Sequence, residues 1–336
     1  MGSIGLGNNA ATFPGVSVLV ATRNRTRALS RTLESVLACE YPTFEILVID
    51  QSDREQHERR ASGRGPDRRS PWSLPSDPRV HVVRSESMGK SRALNVALGM
   101  ASHPILAFTD DDCTVPPDWL RRGVAQLQAA PDIGLAFGTL RAAPHDPERE
   151  VVPTFEPASP QVVRGVSHAY VRCGAGANMF APRTLFDTIG GFDELLGPGA
   201  PLLSSEEYDL YYRTLKGGYG VAVDPDNVVI HYGARPYSDG SGQRLLCGYV
   251  FGEGAVIAKH VRSGDRMAMR LGLRRFYPEV KWALLDAAKG RTWCIRRASN
   301  MAHGFARGFL AQGAASRDGR RMRPPLTRDN KLPYAK

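Results

Sequence analysis

No run of about 18 apolar residues occurs in this sequence, so no membrane-spanning helix is expected. The N-terminus, MGSIGLGNNAATFPG, has neither the basic start nor the apolar middle of a secretion signal. Cysteine is sparse: Cys39, Cys113, Cys173, Cys247 and Cys294 stand far apart, with no CxxC pair and no histidine at zinc-site spacing. That excludes a disulfide framework and a structural zinc site, and makes a reducing cytosol the expected setting. The glycine-rich stretch CGAGANMFAPRTLFDTIGGFDELLGPG shows neither GxGxxG nor GxxxxGK[ST] order. Its glycines therefore read as tight turns rather than a phosphate cradle. Acidic residues are scarce at the C-terminal end, where Arg244 to Lys336 holds 20 Lys/Arg against 6 Asp/Glu. The net charge of +10 thus divides into +14 there and −4 before it.

What the sequence does contain is an alternation of short apolar runs and helical periodicity. VSVLVAT (16–22), FEILVID (44–50), RVHVV (79–83) and HPILAFTDDD (103–112) read as strands. Between them lie a helix with apolar Ala28, Leu29, Leu33, Val36 and Leu37, opened by Asn24 or Thr26, and the helix KSRALNVALGMA. Such alternation predicts a mostly parallel, doubly wound α/β sheet whose ligands gather at the carboxyl ends of its strands. Thr22, Asp50 and Asp110–Asp112 all fall at such ends. The stretch from Asp53 to Pro78 suits a short helix trailing into a mobile surface loop. Further on, DWLRRGVAQLQAA and SSEEYDLYYRTLKGGYG read as helices, the second opened by Ser204 or Ser205, and IGLAFGTL and GVAVDPDNVVIHYG as strands. After about residue 240 the pattern is helical and basic, ending in a segment expected to be disordered, residues 316–336.

Three adjacent aspartates after ILAF repel one another unless a cation joins them. Hard oxygen ligands at a sheet rim suit Mg²⁺ or Mn²⁺, which take one or two protein carboxylates beside substrate phosphates. An acidic turn before PPDWL is the alternative. Lys90 and Arg92 in GKSRALN are placed to face a diphosphate or to remain solvated. Glu206, Glu207 and Asp209 crowd four positions, so mutual repulsion would raise at least one pKa toward that of a base able to deprotonate a hydroxyl. Helix-end acids balanced by Arg213 are the plainer reading. His231, after a strand, is a metal ligand or a half-buried polar residue.

VSVLVATRNR, FEILVIDQSD, GKSRALNVAL, FTDDDCTVPPDWL, GANMFAPRTLFDTIGGFDE, EEYDLYYRTLKGGYG and VVIHY, in that order over residues 14–235, together resemble the inverting family-two glycosyltransferases of the GT-A fold. The resemblance implies that Thr22, Arg25 and Asp50 line a nucleotide pocket. It implies that Asp110 and Asp111 of the DxD motif face the ribose and Asp112 holds the metal, Mn²⁺ or Mg²⁺, with Asp110 and His231 as further metal candidates. The family's ED pair falls on Glu206 and Glu207, the latter as general base. Glu stands where Asp is usual, which leaves Glu206 and Asp209 in contention. Arg213 matches an arginine that anchors this helix, and GGFDE resembles the loop beneath the acceptor, through Gly191, Phe192 and Asp193. No QxxRW motif follows His231, which favours transfer of one sugar over processive synthesis. UDP is the favoured nucleotide, with GDP and dTDP open.

The expected organisation is a catalytic domain over 14–240, with a nucleotide half at 14–115 and an acceptor half at 116–240, then a basic helical extension over 241–315. That extension can touch an anionic membrane from the cytoplasmic side, close over a glycan, lipid or lipid-linked acceptor, or form a homodimer. Nucleic acid is disfavoured because no helix-turn-helix or stacking signature accompanies the charge. The rival functions are a sugar nucleotidyltransferase, whose glycine-rich N-terminal loop is missing, and a non-enzymatic basic membrane scaffold.

Overall fold

The computed structural model describes residues 13–53, 74–169 and 173–311. Most of the loop expected between Asp53 and Pro78, and the disordered segment expected at 316–336, lie outside the described residues. In chain order the elements are β1 (Val16–Thr22), α1 (Thr26–Leu37), β2 (Phe44–Asp50), β3 (Val80–Arg84), α2 (Lys90–Met100), β4 (Ile105–Phe108), β5 (Cys113–Thr114), α3 (Trp119–Gln128) and β6 (Ile133–Ala142). Then come β7 (Glu150–Val151), β8 (Gln161–Val163), β9 (Met179–Pro182), α4 (Arg183–Ile189), α5 (Glu206–Lys216), β10 (Gly220–His231), β11 (Arg235–Pro236), α6 (Ser241–Arg262), α7 (Arg266–Ala288) and α8 (Trp293–Leu310).

The main sheet runs β3-β2-β1-β4-β9-β6-β10-β5, with β8 added on β10. β1 is apolar on both faces because helices cover both: Val16, Val18 and Val20 join the layer with Leu29, Leu33 and Trp119, while Leu19 joins the layer with Leu94, Leu98 and Leu210. β1 pairs in parallel with β2, register Thr22↔Asp50, and with β4, register Leu19↔Phe108. Parallel pairing sends Thr22, Asp50 and Asp110–Asp112 to one rim. β9 interrupts the parallel run, pairing antiparallel with both β4 and β6. The antiparallel pair His231↔Cys113, between β10 and β5, then returns His231 to the aspartate rim.

The C-terminal helices are not an appendage. Phe251, Ala255 and Val256 of α6 form an apolar cluster with Leu196 and Leu202 of the preceding loops. α6 and α8 cross at backbone distance, since a Cβ on Gly304 would lie 1.9 Å from Phe251 O and one on Gly254 would lie 2.2 Å from Met301 O. No helix among the described residues is long and apolar enough to cross a membrane.

Candidate active site

The rim is tied together before any ligand is considered. Asp50 is buried and accepts the Ser52 N–H at 2.9 Å. The loops after β1 and β2 are joined by Asn24 Nδ2 donating to Asp53 at 2.7 Å and the Asn24 N–H donating to Ser52 Oγ at 2.8 Å. Asn24 takes a left-handed φ of 58° to do so, a conformation asparagine tolerates better than most residues. Gln51 donates to the Gly89 carbonyl at 3.1 Å and to that of Ser87, fixing β2 to the start of α2.

The three aspartates diverge to separate partners. Asp111 accepts from the Thr22 hydroxyl at 2.6 Å and from Arg25 at 3.1 Å. Asp112 accepts from Arg25 at 2.7 Å and lies 3.3 Å from His231 Nε2. Asp110 pairs with Lys90 at 2.5 Å, and the same ammonium is 3.5 Å from Glu206. Burial works against the charge on Asp112, but His231 and Arg25 outweigh it and hold the carboxyl at about 2. Burial likewise opposes charge on His231, yet the hydrogen bond to Asp112 raises its pKa above the usual histidine value. His231 Nδ1 is 3.0 Å from the Pro153 carbonyl, so Nδ1 carries its proton inward and Nε2 faces Asp112.

Whether these groups suit a divalent cation can be tested on their geometry. Among the described residues, one group of three possible donors lies within 4.8 Å: Asp112, Cys113 and His231. Asp110, expected in this set, is instead drawn to Lys90, because its side chain leaves the rim on the α2 side. Cys113 is fully buried, and burial drives its thiol pKa well above the ordinary value. A neutral thiol is a poor ligand for Mg²⁺ or Mn²⁺, so Asp112 and His231 are the two residues that would hold such an ion. Room beside them is kept by Gly233, where a Cβ would stand 2.5 Å from His231 Nε2 and 2.8 Å from Asp112 Oδ2. One carboxylate, one imidazole and an open flank suit a cation completed by water and phosphate.

The second acidic group starts α5. Leu203 (φ 67°) and Ser205 (φ 72°) are both left-handed, and Ser205 stands at the helix cap without using its side chain. The hydroxyl cap expected from SSEE is absent: Ser204 Oγ donates to the Gly248 carbonyl of α6 at 2.9 Å instead. Two such residues before Glu206 mark a backbone held by its surroundings. Glu206 is buried against Gly197 and Lys90, and burial, followed by the neighbouring Glu207 charge, lifts its pKa to about 7. Asp209 cannot serve as a mobile base. It is wholly buried, with Lys259 and His260 both at 2.9 Å and Arg213 at 2.8 Å. Burial alone would raise its pKa, but these partners push it well below the carboxylate range. Arg213 also donates to the carbonyls of Ile189, Gly190 and Gly191, fastening α5 to the end of α4.

One cleft of about 220 Å³ collects Lys90, Asp110, Glu206, Glu207 and His231. Thr22, Arg25, Asp50, Asp111 and Asp112 do not line this cleft; they form the adjoining rim, joined to it through the Asp112–His231 pair. Arg92, Phe192, Gly191 and Asp193 sit elsewhere. Arg92 pairs with Glu194 at 3.3 Å in a half-exposed position. Phe192 packs with Phe108 and Phe186 inside the sheet layer, Gly191 spends its carbonyl on Arg213, and Asp193 pairs with Lys259 at 2.7 Å. In their place the cleft continues along Tyr208, Tyr211, Tyr249, Glu253 and Arg275. Four of these residues lie on α5 and α6 and Arg275 on α7, and nothing in their spacing marks them as lining a site. Gly233 was also silent in the sequence, its only signal being its place two residues after His231.

Residues 17–177 match the family model described as "Glycosyl transferase family 2". The match spans just under half of the chain. A relative named glycosyltransferase AglE, from Haloferax volcanii, is 23% identical over 277 residues, covering 82% of each chain. A second protein of that organism, named glucosyl-dolichyl phosphate glucuronosyltransferase, is 27% identical over 198 residues, or 54% of this chain and 57% of its own. Among solved structures, the mannosyltransferase PcManGT from Pyrobaculum calidifontis, in complex with GDP-Man and Mn²⁺, superposes with a TM-score of 0.55 at 18% identity, covering 89% and 88%. S. aureus TarS 1–349 gives 0.54 at 14%, covering 88% and 81%. At these identities the shared feature is the fold, and it is the GT-A glycosyltransferase fold.

Proposed function

We propose that this protein is a metal-dependent, inverting glycosyltransferase that moves one sugar from a nucleotide-diphospho-sugar, by preference UDP-linked, to an acceptor hydroxyl. The observation that carries the reading is a single cleft holding Glu207 together with Asp110, Lys90 and His231, although about 95 positions separate the two acidic groups. A PcManGT complex with GDP-Man and Mn²⁺ in the same fold supports the donor class and the cation. The lipid-bearing substrate in one relative's name supports a lipid-linked glycan as acceptor.

Thr22, Asp50 and Asp111 receive the nucleoside, with Asp50 held in place by its backbone hydrogen bond. Arg25 and Lys90, which now neutralise the aspartates, turn their charge to the diphosphate. A bound Mn²⁺ or Mg²⁺, held by Asp112 and His231, would supply positive charge beside the leaving diphosphate. Glu207 takes the proton from the acceptor hydroxyl, whose oxygen attacks the anomeric carbon from the face opposite the leaving group, so configuration inverts. Glu206, buried and half-neutralised by Lys90, sets the field in which Glu207 works. Tyr208, Tyr249 and Glu253 form the acceptor end, offering rings to a sugar face and a carboxylate to its hydroxyls.

Calorimetry with UDP-, GDP- and dTDP-sugars, with and without Mn²⁺, tests this directly. Cation-dependent uptake of at least one is expected, lost in Asp112→Asn. Glu207→Gln is expected to bind that donor normally and to lose transfer by 10²-fold or more, the usual scale for a missing general base. Absence of any cation-assisted uptake sinks the reading.

A further inference from the structure

Helix α7 turns a stripe of large apolar side chains to solvent. Met269, Leu273, Tyr277, Val280 and Leu284 are exposed by 51, 69, 70, 49 and 67%, and their spacing of four, four, three and four keeps them on one helix face. Scattered exposed leucines need no explanation, but a continuous row marks an interaction surface. Along one edge run Arg270, Arg274 and Lys281, all exposed, and Lys289, Arg291 and Arg296 continue the basic run into α8. The only acids of α7 and α8 are Glu279 and Asp286. Glu279 is buried beneath Arg275 and Arg297, at 2.9 and 2.8 Å, and Asp286 accepts the Cys294 N–H at 3.0 Å. Along the other edge the stripe opens into a groove of about 360 Å³ lined by Val261, Gly272, Phe276 and Phe305, with Met269 and Leu273 shared.

We propose that this face of α7 seats the protein on an anionic lipid bilayer, apolar stripe in the acyl boundary and basic edge against the headgroups. Charge decides among the possible occupants. A second copy would press one basic edge on another. Residues 312–336, with seven Lys/Arg against two Asp/Glu, carry the same repelling sign. Nucleic acid would use the cations and leave the stripe wet. An anionic bilayer satisfies both halves at once. The placement also has a consequence for access: Phe276 lines the groove while its neighbour Arg275 lines the catalytic cleft, so the seat and the cleft are separated by about one helix diameter, ~10 Å. The inference goes beyond the transferase reading and does not depend on it.

The test uses the full chain and sedimentation with vesicles of phosphatidylcholine, pure or with about 30% phosphatidylglycerol. Binding to the anionic vesicles is expected, weakened by salt. Leu273→Asp with Leu284→Asp should abolish it while the melting temperature holds, because both side chains are already in water. Arg270→Gln with Lys281→Gln should weaken partitioning about 30-fold, from roughly one electrostatic increment per cation. No binding to anionic vesicles overturns the proposal, as does binding that survives the leucine substitutions. So does a lipid-free dimer in light scattering that those substitutions split. Failure of donor uptake with Mn²⁺ would strike only the transferase reading, and failure here only the bilayer seat.

Discussion

Gly233 stands over the Asp112–His231 pair, and a methyl group there would occupy the space 2.5 Å from His231 Nε2 and 2.8 Å from Asp112 Oδ2. Gly233→Ala is therefore expected to weaken Mn²⁺-dependent donor binding by tenfold or more, read by calorimetry. Because Gly233 is buried, the same crowding is also expected to cost about 1–3 kcal/mol of stability, read from urea unfolding. A variant that binds Mn²⁺ and donor as well as wild type would remove Asp112 and His231 from the metal site. Glu206 supplies a prediction in pH. Its folded pKa of about 7 lies above the ordinary 4.5, so the folded state holds the proton more tightly than the unfolded chain. The associated stability is complete below the unfolded value and is lost as pH rises toward 7. Glu206→Gln keeps the shape and removes the titration. The difference in unfolding midpoint between wild type and Glu206→Gln should consequently move in the variant's favour as pH rises across that window. Parallel curves would mean that the proton resides elsewhere.

At the scale of elements, helix contacts fix what side-chain pairs then use. α5 is held by Arg213 at the end of α4 and by Lys259 and His260 of α6 on Asp209, so the acidic start of α5 is clamped from two directions. α6 in turn depends on its crossing with α8, where Gly254, Gly304 and Gly308 let backbones touch. An added methyl at Gly304 must push Phe251 away, and overpacking of this kind costs about 1–3 kcal/mol. Gly304→Ala should lower the urea midpoint accordingly with the denaturant slope unchanged, and an unchanged midpoint would show that the helices do not cross so closely. The antiparallel strand β9 belongs to this scale as well. Only four residues long, it has too few side chains to display a period, and its insertion between β4 and β6 follows from its neighbours.

For the whole molecule, buried contacts cross the boundary expected at residue 240. Cutting there removes Lys259 and His260 from the wholly buried Asp209 and strips Phe251, Ala255 and Val256 from the cluster with Leu196 and Leu202. Losing the partners of a buried charge costs about 3–5 kcal/mol, a large share of a domain's stability. A chain ending at residue 240 is expected to lose cooperative thermal unfolding in near-ultraviolet circular dichroism. A sharp transition from it would restore the catalytic domain as a separate body.

The amino-acid order by itself determined the alternating strands and helices, the mostly parallel α/β sheet, and the strand-end positions of Thr22, Asp50 and Asp110–Asp112. These are properties of local periodicity and of parallel connection, which sends every strand end to the same rim. Only the tertiary structure decided which charges meet. Lys90 took Asp110, His231 took Asp112, and Lys259, 50 residues away, took Asp209 out of contention as a base. It also exchanged Gly191, Phe192 and Asp193 for tyrosines and Glu253 along the cleft. Pairing of charged side chains depends on distance through the fold and on burial, and neither is encoded in the spacing of residues along the chain.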